Sequence, residues 1–104
     1  MADKHISVEE GGRVLAQATV SVANDNGEAR AQVHVAPGHL PVGTRQQVVD
    51  AVHDVVTEDH SRHLAATVPL GDVELVQGFR DHLSGVQLRA AGSTTIIEGD
   101  VKPD

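Results

Sequence analysis

HVAPGHLPVGTRQQVVDAV, residues 34–52, decides how the chain is to be read. Its first residues end a run in which apolar and polar side chains alternate. Its middle is rich in Pro and Gly, and its last third places Val48, Val49 and Val52 at i, i+1 and i+4. Alternation predicts a strand, because successive strand side chains point to opposite faces; the wider spacing predicts a helix with one buried face. Val55 and Val56 continue that face, and Thr44 with Gln47 fits the N-cap and N3 positions of a capping box. Valine is an indifferent helix former, so packing rather than propensity must hold this helix.

Upstream, Val14, Ala16, Ala18, Val20 and Val22 fall on one face of a strand, with Gln17, Thr19 and Ser21 on the other. Asn24-Asp25-Asn26-Gly27 is turn chemistry, and residues 29–36 resume the alternation, so the two runs predict a hairpin. Residues 1–12 carry Asp3, Glu9, Glu10 and a Gly11-Gly12 pair. They are expected to form a loose end, with a short strand at residues 5–8 as the alternative. Downstream, residues 63–70 predict a strand that Pro69 closes, since proline lacks a ladder donor. Asp72 can cap a second helix, whose Leu75, Val76, Phe79, His82 and Leu83 repeat the spacing of the first. Ser84-Gly85 stops it, residues 86–90 alternate again, Ala91-Gly92-Ser93 turns, and residues 94–98 form a last strand.

The order β-β-α-β-α-β-β describes a single α+β domain over residues 13–99, with residues 100–104 as a flexible tail. A mixed, mostly antiparallel sheet with both helices on one face satisfies it; a ferredoxin-like sandwich is the alternative that order alone leaves open.

Composition narrows the function. At 104 residues with 39% hydrophobic and 1% aromatic content, the core must be built of Val, Ala, Leu and Ile around Phe79. Such a core gains little per side chain, so a homodimer that covers open strand edges is expected. The formal charge of -7, with no basic run and no stacking aromatics, excludes a nucleic-acid footprint. The polar, acidic start and the lack of a long apolar run predict a cytoplasmic protein with no membrane contact. Without cysteine there is no thiolate nucleophile, disulfide framework or Cys-based zinc site.

Residues 35–52 also resemble the cofactor-binding stretch of the GNAT N-acetyltransferase family. In that family a strand ending in Val-x-Pro leads into a Gln/Arg-x-x-Gly-x-Gly/Ala loop and then a helix. Val35 and Pro37 match the strand end, Gly43 matches the central glycine, and Val48, Val49, Ala51 and Val52 match the apolar helix face. The order of elements resembles the family over residues 13–98. The resemblance implies that backbone N–H groups of the loop, around Pro37, Gly43, Thr44 and Arg45, and the helix N-terminus hold the pyrophosphate of acetyl-coenzyme A. The chain departs from the pattern at Leu40, which stands for Gln/Arg, and at Arg45, which stands for Gly/Ala where the backbone would approach phosphate. Pro41 deletes an N–H. Phe79 falls near the position where the family often carries a tyrosine to protonate the departing thiolate, and no Tyr or Cys replaces it.

The other constellations are weaker. Seven histidines invite a metal reading, with His53 and His60 seven apart and His63 close by, beside Asp54, Glu58 and Asp59. No His-Glu-x-x-His spacing appears, so a solvated helix end is expected and no metal. His34 and His39 flank the loop and are the candidates for a general base. Arg45 is expected to cover a surface or pair with Asp50 or Glu58. Taken together, the residues predict a small GNAT-like binding or assembly module that has lost acetyl transfer and holds no cofactor. A compact acetyl-CoA-dependent N-acetyltransferase is the first alternative. An acidic regulatory or stress protein that binds a basic protein partner is the second.

Overall fold

The computed structural model describes residues 2–23 and 27–102. In chain order these form β1 (Ala2–Glu10), β2 (Arg13–Ala23), β3 (Glu28–Val35), α1 (Thr44–Glu58), β4 (His63–Pro69), α2 (Val73–His82), β5 (Leu83–Ala91) and β6 (Thr94–Val101). One six-stranded sheet runs β1-β2-β3-β4-β6-β5. Every neighbouring pair is antiparallel except β3–β4, which the α1 crossover makes parallel. That crossover joins adjacent strands, whereas the ferredoxin-like alternative requires a split unit with a strand between them.

The alternation read from sequence sets which face is buried. Ala16, Ala18, Val20 and Val22 of β2, Ala29, Ala31 and Val33 of β3, Leu64, Ala66 and Val68 of β4 and Ile97 of β6 share one core with the helices. Val48, Val49, Val52 and Val56 of α1 and Leu75 and Phe79 of α2 cover them. Phe79, the one aromatic, is 1% exposed. The opposite face, with Gln17, Arg30, Gln32 and His34, carries no helix, which an antiparallel-rich sheet tolerates when its outward residues are polar. The helices approach closely where α2 has Gly78: a Cβ there would lie 3.1 Å from Val49 Cγ2.

Four details differ from expectation. α2 ends at His82, and Leu83, expected on its apolar face, is extended and opens β5. Residues 2–10 are a full strand, β1, and not a loose end; its backbone pairs with β2 from Ala2–Val22 to Glu10–Arg13, and Ile6 and Val8 pack against the core. β6 runs to Val101, so residues 100 and 101 continue the sheet and are no tail. The capping box at α1 does not form. Gly43, with φ of 89°, occupies the N-cap with no side-chain cap, and the Thr44 hydroxyl donates instead to the Pro41 carbonyl at 2.8 Å. The α2 cap is as expected, with Asp72 Oδ1 accepting from the Leu75 N–H at 3.1 Å. The turn expected at residues 24–27 lies, except for Gly27, outside the described residues. Among the described residues no helix is long and apolar enough to cross a membrane.

Candidate ligand-binding cleft

The parallel ladder between β3 and β4 has only five steps, from Glu28–His63 to Gln32–Thr67. Both strands continue past it. Val33, His34 and Val35 stay paired with β2, while Val68 and Pro69 stay paired with β6. Each strand thus follows its outer neighbour, and the sheet opens between them. Pro69, with no N–H to offer, sits on one lip. A cavity of about 330 Å³ lies at the opening, lined by Gln32, Val33, His34, Thr67, Pro69, Ser93 and Thr94. Both strands run towards this end of the sheet, and each leads into a helix there.

The loop from residue 36 to residue 43 leads from β3 to the start of α1, so the helix N-terminus belongs to the same end of the sheet as the cleft. No side chain caps α1 and no acidic residue stands in its first turn. A Cβ added at Gly43 would meet nothing within 4 Å, which leaves open space beside the loop's last residue. Arg45, which the sequence suggested would crowd this position, is drawn away from it. Its Nε donates to Asp72 Oδ1 at 3.1 Å and Oδ2 at 2.9 Å. The partner expected for Arg45 was Asp50 or Glu58; Asp72 wins because α2 begins beside α1, and Asp50 is already engaged by Gln46 Nε2 at 2.7 Å and His82 Nε2 at 3.0 Å.

The other sequence candidates are scattered. His34 lines the cleft from the open face of β3, whereas His39 is exposed in the loop. His53 is buried between the helices, its ring stacked on His82 with centroids 4.1 Å apart. His60 occupies a left-handed turn after α1 with φ of 57°. His63 starts β4 and faces Glu98 at 3.8 Å and Asp100 at 3.5 Å. Among the described residues no group of three or more His, Asp or Glu is placed to hold a metal ion. Phe79 belongs to the core and does not line the cleft. Sequence reasoning missed Gln32, Thr67, Ser93 and Thr94, since nothing local announces where two strands diverge.

No protein-family model matches the sequence, and no curated protein matches it. Solved structures do match in shape. A ribosomal-protein-alanine N-acetyltransferase from Brucella melitensis superposes with a TM-score of 0.65 at 12% identity, over 93% of this chain and 68% of its own. The GNAT domain of S. lividans PAT gives 0.66 at 18% identity, over 95% and 61%. A GNAT superfamily phosphinothricin acetyltransferase from Sinorhizobium meliloti, solved in complex with AcCoA, gives 0.65 at 15% identity, over 96% and 65%. The fold is GNAT-like. The chain spans between about three fifths and two thirds of the length of these three proteins, and at such identities the likeness speaks for the fold.

Proposed function

We propose that this GNAT-like domain binds acetyl-coenzyme A, with the pyrophosphate at the N-terminus of α1 and the acyl arm directed into the β3–β4 cleft. The observation that carries this reading is the pairing of an open parallel ladder with an uncapped helix N-terminus at the same end of the sheet. The residues fit the group. The N–H groups of α1's first turn carry no side-chain acceptor, Gly43 leaves room for close approach, and Asp72 holds Arg45 aside while keeping its positive charge near the helix start. When bound, the cofactor supplies an activated thioester. Gln32, Thr67, Ser93 and Thr94 offer the polar groups that could orient its amide-bearing arm.

The chain lacks tyrosine and cysteine, so this reading keeps binding apart from transfer. Acetyl transfer is the second reading, and His34 is the observation that favours it: its imidazole lines the cleft, where it could take a proton from an acceptor amine. An amide NMR titration with acetyl-coenzyme A and with coenzyme A tests the binding. Saturable shifts at residues 32–34 and 37–48 are expected. Unchanged spectra at millimolar ligand would overturn it. Transfer to a panel of amines that is lost in His34→Gln, with binding retained, would establish the second reading.

A further inference from the structure

The sheet has two edges, and they are built differently. β1 carries Asp3, Lys4, Glu9 and Glu10 and a register shift between Val8 and Glu9. Charges and irregular pairing are what keep an edge from joining another strand. β5 reads LSGVQLRAA and carries one charged residue, Arg89. Its irregularity is confined to residues 84–87, and from Gln87 to Ala91 it pairs regularly with β6 on one side only. Leu88 lies opposite the buried Ile97, on the helix side of the sheet, yet is itself 50% exposed. A run of unpaired backbone with a single charge and a half-exposed leucine is an edge suited to a further strand.

We propose that β5 is a self-pairing edge, which joins two copies of this chain into one continuous sheet with Leu88 opposite Leu88 of the partner subunit. The register follows from elimination. An antiparallel pair keeps its two faces continuous only if residues from the same face lie opposite one another. Centring the pair on Arg89 would set two guanidinium groups against each other, which like charges disfavour. Centring it on Gln87 would leave Gln87 alone of the regular residues 87–91 opposite a regular residue, whereas centring it on Leu88 keeps three, residues 87–89. Centring it on Ala90 would place Leu88 opposite Gly92, in the turn. Centring it on Leu88 pairs leucine with leucine and sets Gln87 opposite the partner's Arg89. Because Gln87 is opposite Glu98 within the chain, each Arg89 then shares a row with the partner's Gln87 and Glu98. Arg89 already lies 3.5 Å from Glu98 of its own chain, so the pairing adds the partner's Gln87 as an acceptor and a second carboxylate around the only cation of the strand, in a chain whose net charge of -7 otherwise opposes self-association. The proposal is independent of the ligand reading.

Sedimentation velocity over a range reaching high micromolar protein should show a concentration-dependent dimer. Leu88→Lys should shift it to monomer and still unfold cooperatively, matching the unsubstituted protein at concentrations too low for its dimer, because the side chain is half exposed. The absence of cysteine permits a register test. Leu88→Cys should crosslink two chains under mild oxidation, since directly opposed residues bring their Cβ atoms within about 5 Å. Ser7→Cys, on the β1 edge, should not. A monomer at every concentration, a dimer indifferent to Leu88→Lys, or crosslinking at residue 7 in place of residue 88 would each overturn the proposal.

Discussion

The two strand-to-helix connections of this chain do the same architectural work with opposite chemistry. After β4, a connection of three residues, Leu70 to Asp72, supplies its own anion: the Asp72 carboxylate caps α2, and Glu74 follows in the first turn. After β3, residues 36–43 end on a left-handed glycine, no side chain caps α1, and the first turn carries Arg45 where acids are favoured. The positive end of the α2 dipole is therefore neutralised from within the chain, while that of α1 is not. Asp72 caps one helix and holds the arginine of the other, but it reaches none of the backbone N–H groups at the α1 start. The comparison teaches that a helix start already matched by its own carboxylate is a structural joint, whereas one lacking such a partner gains from an anion brought by a ligand.

Removing Asp72 should break the comparison most severely. Asp72→Ala loses the cap and the two-pronged contact with Arg45 together, at a side chain only 8% exposed. A loss of about 2–3 kcal/mol is expected from the urea midpoint. Asp72→Asn retains an oxygen for the cap and gives up the charge, so it should lose about half as much. Equal losses would mean that the cap contributes nothing beyond the charge, and no loss in Asp72→Asn would mean that the ion pair contributes nothing. Gly43→Ala comes next. A Cβ finds open space there but must adopt φ of 89°, which costs about 1–2 kcal/mol. The same substitution should weaken acetyl-coenzyme A in the NMR titration, because it places a methyl group where the loop would approach phosphate.

These positions also mark how far the sequence could be read. Asp72 was legible as a cap because its chemistry acts three residues away, and the sheet was legible because alternation in residues 14–22 and 29–36 is local. β1 was not, since DKHISVEE holds only two apolar residues, and what makes it a strand is β2 beside it and α1 above Ile6 and Val8. The partner of Arg45 lies 27 residues downstream, and the stack of His53 on His82 depends on how α2 lies against α1. The cleft is the extreme case. Gln32 and Thr67 look like any outward strand residues, and their importance comes from being the last rung before the ladder opens.

A charge placed in the α1 first turn separates stability from binding. In Gln47→Glu the new carboxylate gains from the helix dipole and loses against Asp50 three residues on, so stability should stay within about 0.5 kcal/mol. Acetyl-coenzyme A would then meet a negative charge at the helix start, and its affinity should fall about two- to fivefold. Unchanged affinity would show that the ligand's phosphates lie elsewhere.

The smallest effect is the most telling about how α1 begins. Had Thr44 and Gln47 formed a capping box, Gln47→Ala would remove one of its two reciprocal bonds and cost about 1 kcal/mol. In the structure the cap position is Gly43, the Thr44 hydroxyl is spent on Pro41, and the backbone N–H of Gln47 bonds the Gly43 carbonyl at 2.9 Å. That bond survives the substitution, and alanine is the better helix former by a few tenths of a kcal/mol. Gln47→Ala should therefore leave the urea midpoint unchanged or raise it slightly. A loss near 1 kcal/mol would restore the box, supply α1 with a side-chain cap after all, and remove the contrast with α2 on which the anion site depends.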